Sequence, residues 1–192
     1  MSESLFTSQT PVVTNANDGG SPGITTATTL MFGADGTVSG IRFYATTSVV
    51  GIETYTAELW SLSANDTGTR IADAAVLGTA ITAGTWNVIN FASPVAVDTL
   101  RAYRAAINNT GGRYVATAGF FNAAPLVNGN ITGIMDSTSP FGALLFNGTF
   151  ADASPPSTIP QNNFGDASYF VDVVFDVAGG DPGAASRFLT FF

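Results

Sequence analysis

The stretch SYFVDVVFDV, Ser168 to Val177, decides how the rest of the chain is read. At a period of two it sets Tyr169, Val171, Val173, Phe175 and Val177 on one face and Phe170, Asp172, Val174 and Asp176 on the other. One face is wholly apolar, β-branched or aromatic, and the second mixes apolar residues with carboxylates. That is the pattern of a strand that covers a core and turns its other face partly to water. Asp172 and Asp176 then read as solubilising positions on an exposed face.

Working back toward the N-terminus, the same alternation recurs in short runs. Thr28 to Phe32 is a first strand, and TVSGIRFYA after the turn GADG places Ile41 and Phe43 opposite Arg42 and Tyr44. TYTAELWSL, Thr54 to Leu62, sets Tyr55, Ala57 and Leu59 against Thr56, Glu58 and Trp60. Ile71 to Ile81 is alanine-rich but broken by Gly78, and its Thr content favours an extended reading over a helix. In Gly84 to Phe91, Ile89 and Phe91 share a face, and Pro94 confines the continuation to an edge or a turn. Leu100 to Ile107 alternates, NNTGG at Asn108 to Gly112 reads as a hairpin turn into Arg113 to Phe121, and Gly142 to Phe150 is a further strand. Asn122 to Pro140 and Ala151 to Ala167 read as connections, and Asn15 to Gly23 as a surface loop.

Nine or so short strands without an amphipathic helix predict an all-β protein: an antiparallel two-sheet β-sandwich, jelly-roll-like, with an extended C-terminal tail. No composition shift divides the 192 residues, so residues 1–178 form one domain and residues 179–192 a Gly/Ala-rich spacer with the aromatic end RFLTFF.

Composition narrows the chemistry. Charged residues are only 10% of the chain, all six basic residues are Arg, and the net charge is -8, which argues against nucleic acid as a partner. Without Cys, His or Lys there is no thiol or imidazole nucleophile, no thiolate zinc site and no Schiff-base lysine. No run is long enough to span a membrane, and the first residues lack the pattern of a secretory signal. Carboxylate-based hydrolysis is the one enzyme chemistry left, with Glu58, Asp136, Asp172 and Asp176 as candidates. Asp172 and Asp176, four apart on one strand, lie about 13 Å apart along it, too far for a glycosidase pair. The chain therefore reads as a non-enzyme with no catalytic residue.

Three binding features remain. Trp60, Trp86, Tyr114 and Tyr44 fall on faces opposite the expected core or near loop ends, where a flat ring can lie against a pyranose or simply pack on the sheet. NANDGG, Asn15 to Gly20, supplies either an ordinary turn or a calcium loop with Asp18 as leading ligand, and calcium is the one cofactor the sequence leaves open. Arg187, Phe188, Leu189, Phe191 and Phe192 form a tail that adds a strand to its own sandwich or docks on a partner. Four Asn-x-Thr triplets, at Asn65, Asn108, Asn130 and Asn147, are attributed to chance in an Asn- and Thr-rich chain.

GTVSGIRFY (Gly36 to Tyr44), AELWS through TWNVINFASPVAV (Ala57 to Val97) and the closing SYFVDVVFDV, taken in order, resemble a bacterial and phage domain-of-unknown-function family of jelly-roll β-sandwiches that look like carbohydrate-binding modules. The likeness runs from about Leu5 to Val177. Its members stand beside cadherin-like and immunoglobulin-like repeats in large extracellular proteins and occur in phage structural proteins. The resemblance carries no catalytic residue; it implies a binding or structural role. A lone module with few charges and an aromatic tail leads to the expectation of a virion accessory protein, a capsid decoration or tail-associated protein at the virion surface. Its partners would be other structural proteins, further copies of itself and host carbohydrate. A carbohydrate-binding module of a bacterial cell-surface or secreted system is the alternative.

Overall fold

The computed structural model describes residues 2–18, 23–63, 67–135, 145–152 and 159–179. Within them lie β1 (Val13–Asn17), β2 (Ile24–Phe32), β3 (Gly36–Tyr44), β4 (Thr54–Leu62), β5 (Gly68–Leu77), β6 (Trp86–Val97) and β7 (Ala102–Asn109). They are followed by β8 (Arg113–Ala116), β9 (Leu126–Asn128), β10 (Ile131–Gly133), β11 (Thr149–Ala151), β12 (Asn162–Asn163) and β13 (Val171–Val177). The strands are antiparallel, and no α-helix occurs among the described residues.

The larger sheet has the order β12-β11-β2-β7-β4-β5, with the β9–β10 hairpin continuing the β2 edge beyond β11. The facing sheet is β13-β3-β6, and β1 with β8 makes a third, two-stranded piece. This is the all-β sandwich that the alternation predicts. The core between the sheets takes Leu30, Tyr55, Ala57, Leu59, Tyr103 and Ala105 from one side, and Val38, Ile41, Phe43, Ile89, Val171, Val173 and Phe175 from the other. Ile89 and Phe91 do share the inward face, and Pro94 is accommodated because β6 is an edge strand, with a register break against β3.

Asp172 corrects the reading of the opening stretch. It is fully buried, not solvated. Residues 3–6 run antiparallel to β13, with Glu3 bridging Phe175, and cover its second face. Leu5 and Phe6 are themselves wholly buried. The Asp172 carboxylate accepts hydrogen bonds from the backbone N–H of Leu5 (2.8 Å) and Phe6 (3.0 Å), from Val173 N–H (2.7 Å) and from Arg42 Nη1 (3.0 Å), its cross-strand partner in the β13–β3 register. Burial pushes the carboxyl up from its ordinary range, and the three N–H donors and Arg42 pull it back down. Asp176 is half-buried. The strand also starts later than expected: Phe170 has φ 54°, a left-handed backbone that ends the alternation, so Tyr169 and Phe170 are both buried.

The outer face of the larger sheet departs from expectation in the same way. Trp60, on the face opposite the main core as read, is buried in a second cluster with Ala27, Leu62, Ala102, Ala106, Ile134, Leu145 and Ile159. Arg104 fastens the covering segments from beneath, donating to Thr29 Oγ1 (3.0 Å), to the Phe146 carbonyl (3.1 Å) and to the Pro160 carbonyl. Asn147 does the same from above, accepting from Thr29 N–H (2.8 Å) and donating to the Ile134 carbonyl (2.7 Å). Every residue of β7 is consequently buried.

Three further expectations are revised. The turn after β7 does not form a hairpin, since β8 pairs with β1 and not β7. The segment read as a connection after Asn122 holds the β9–β10 hairpin. The strand expected over Gly142 to Phe150 is seen in its last part, as β11. The tail residues Arg187, Phe188, Leu189, Phe191 and Phe192, and the carboxylate Asp136, lie outside the described residues. Of the Asn-x-Thr triplets, Asn108 and Asn147 are buried with their side chains hydrogen-bonded to the protein. Asn130 holds Glu3 through its backbone N–H and Nδ2, and Asn65 lies outside the described residues.

Candidate functional site

At the end of the sandwich where β2 and β13 begin and β7 ends, a cleft of about 160 Å³ is lined by Asp18, Ile24, Tyr114, Phe150, Phe164 and Tyr169. The fold brings these six together from five separate places in the chain. The β1–β8 pair sets Ala16 opposite Tyr114 and Asn17 opposite Arg113, and Asp18 N–H then bonds the Gly112 carbonyl (3.1 Å), so the first carboxylate stands beside the first ring. Phe150 sits opposite Thr26 on the β2 edge, two residues before Asp152. Phe164 follows β12, and Tyr169 precedes the backbone reversal at Phe170.

The rings meet edge to face. Tyr114 and Tyr169 have centroids 5.7 Å apart at 72°, and Phe150 and Tyr169 are 6.4 Å apart at 66°. Phe164 is 73% exposed and forms the outermost ring of the cleft lining. Asp152 lies close enough to Asp18 for the two carboxyls to interact. Desolvation first, then the neighbouring Asp18 carboxyl, raises the Asp152 carboxyl above its ordinary range. Burial raises both Tyr114 and Tyr169, and the nearby charges of Asp18 and Asp152 add to it, so both phenols stay protonated as donors.

Adjoining the cleft through Ile24, Tyr114 and Tyr169 is a smaller pocket, lined also by Tyr44, Tyr55, Asn109 and Arg113, that reaches core residues Phe43, Ile107 and Val115. Tyr44 also stacks edge-on to Trp86 (5.6 Å, 81°). Trp86 lies to one side. The Arg42 guanidinium covers its ring at 3.8 Å, and Phe6 packs at 5.6 Å. Trp60 is buried on the far side of the larger sheet, its indole N–H on Glu58 Oε2 (2.9 Å), and has no ring face open to a ligand. Glu58 is itself fully buried, held by Arg70 at 3.1 Å.

Of the four aromatic residues selected from sequence, Tyr114 lines the cleft and Tyr44 the pocket adjoining it. Asp18, chosen as a calcium ligand, faces the same cleft, but only the Asp18–Asp152 pair stands there. No group of three or more acidic, His or Cys side chains that could hold a metal occurs among the described residues. Sequence reasoning missed Phe150, Phe164, Tyr169 and Asp152. Phe164, in the loop QNNFGDA with Gly165 at φ 62°, carried the one usable signal: a lone aromatic among turn formers.

Glu3 and Ala178 lie at the opposite end. Glu3 is bridged to Phe175, and Ala178 N–H bonds the Asp35 carbonyl, about 20 Å along β13 from the cleft. No curated protein matches the sequence. Residues 8–171 match a family described as a domain of unknown function, DUF4082. That span includes the cleft and ends at the first residue of β13, and the chain belongs to the DUF4082 family.

Proposed function

We propose that the protein is a non-enzymatic display module that binds carbohydrate in the cleft at one end of the sandwich while the other end joins it to a larger assembly. The observation that carries this reading is the cleft itself: four aromatic rings, two Tyr and two Phe, one of them 73% exposed, beside the Asp18 carboxylate. A pyranose has an apolar C–H face and a rim of hydroxyls, which matches rings for stacking and carboxylates for accepting hydrogen bonds.

The position of the cleft, at the far end of β13 from Glu3 and Ala178, supports display, since a partner held at that end would leave the cleft open. A virion surface, capsid or tail, is the setting we propose, with other structural proteins and further copies of the chain as partners. The test is a glycan array probed with the intact chain and with Tyr114→Ala, with and without calcium. Retention on a defined glycan that is lost in the variant supports the reading. Retention of no glycan, or equal retention by the variant, overturns it.

A further inference from the structure

Granting carbohydrate binding in the cleft, we infer that the site selects neutral sugars and rejects anionic ones such as uronates and sialylated glycans. The argument is one of charge and of where the cations have gone. The cleft presents the Asp18 carboxylate, with Asp152 two residues beyond the Phe150 wall, and its described lining contains no basic residue. Arg113, next in sequence to Tyr114, lines the adjoining pocket that shares Ile24, Tyr114 and Tyr169 with the cleft, where its Nε stands 3.7 Å from Glu53 Oε1 as an ion pair without a hydrogen bond.

The other described arginines are engaged elsewhere. Arg42 is with Asp172, Arg70 with Glu58, Arg101 with Asp98, and Arg104 with Thr29 and two backbone carbonyls. A carboxylate carried by a bound sugar would therefore meet the like charge of Asp18 in a cleft whose described lining offers no guanidinium, Arg113 in the adjoining pocket being paired with Glu53. Recognition of a carboxylate ordinarily uses that fork of donors. A hydroxyl at the same place donates to Asp18 or accepts from the phenols of Tyr114 and Tyr169. Like charge a few ångströms away at a partly exposed site is worth on the order of tenfold in affinity.

The experiment takes the neutral oligosaccharide best retained on the array and its C6-oxidised derivative, which has the same backbone with a carboxylate in place of the primary alcohol. Both are titrated calorimetrically into the intact chain at low ionic strength. The neutral form should bind about tenfold tighter or more, and added salt should narrow the gap. Equal or tighter binding of the oxidised form overturns the inference while leaving carbohydrate binding intact, whereas failure of both forms to bind overturns the carbohydrate reading as well. In an Asp18→Asn, Asp152→Asn double variant, checked for an unchanged melting profile, the gap should close. A gap that persists there would remove these two carboxylates as its cause.

Discussion

Two carboxylate sites in this chain, Asp172 and the Asp18–Asp152 pair, lie at the two faces of the same idea. Asp172 is sealed under residues 3–6, and every donor around it is spent: three backbone N–H groups and Arg42. The pair at the cleft sets two acids close enough to interact, and Asp18 has aromatic walls beside it where Asp172 has donors. The first arrangement holds a fold together and has no capacity left for a ligand. The second is imperfectly satisfied by its own protein, which is what leaves it able to take hydrogen bonds from something else.

The sharpest way to break the comparison is at Asp172. In Asp172→Ala, Arg42 loses its partner and the Leu5 and Phe6 N–H groups are left buried without an acceptor. The expected loss is about 3–5 kcal/mol of unfolding free energy, read by chemical denaturation. Since Arg42 also covers Trp86 and donates to the Phe6 carbonyl (2.7 Å), release of residues 3–6 should be accompanied by a change in Trp86 fluorescence. A loss below about 1 kcal/mol would mean that Asp172 sits on an effectively solvated face, the reading that alternation alone suggested.

That reading failed for a reason that applies across the molecule. Alternation reports which residues share a face; it does not report what lies on the face. For β13 and β4 the sharing was legible: Val171, Val173 and Phe175 on one side and Asp172 on the other, Tyr55 and Leu59 on one side and Trp60 on the other. What covers the second faces, residues 3–6 over Asp172 and residues around Ile134, Leu145 and Ile159 over Trp60, comes from segments without periodicity, so both faces looked exposed. The cleft was half legible for a related reason. Asp18 and Tyr114 stood out one at a time, but the β1–β8 pairing that joins them replaced the local β7–β8 hairpin that NNTGG suggests. Phe150, Phe164 and Tyr169 arrive from more distant segments that no local rule connects.

A second experiment sharpens the open side of the comparison. Phe164→Ala removes a ring that is mostly in water, so unfolding free energy should change by no more than about 0.5 kcal/mol. Affinity for the glycan that binds the intact chain should fall about tenfold or more, corresponding to about 1.4 kcal/mol, because one wall of the stack is gone. Stability and binding thus move in opposite patterns at the two sites: Asp172 carries the first, Phe164 the second. If Phe164→Ala destabilised the chain like a core truncation and left affinity unchanged, the ring would be part of the packing and the cleft would lose its outer wall.

The smallest expected effect lies in the pH dependence of the open pair. Desolvation and the neighbouring Asp18 raise the folded-state Asp152 carboxyl above its ordinary value of 3.8. In the interval between that value and the raised one, the folded chain binds more protons than the unfolded chain. Stability contributed by this group is therefore full below the unfolded value and declines as pH rises through the interval, as the Asp152 proton is lost. The Asp152→Asn variant, which cannot build up that repulsion, should show a flatter melting-temperature profile across the same interval, with the curves converging at the acid end. Parallel profiles would mean that the two acids do not interact in the folded chain. A sugar hydroxyl that donates to the ionised pair would oppose the repulsion, so saturating glycan should flatten the profile of the intact chain as well, and should leave that of Asp152→Asn nearly unmoved in shape. That difference separates an acid pair that merely tolerates its exposure from one whose exposure is the means by which it binds.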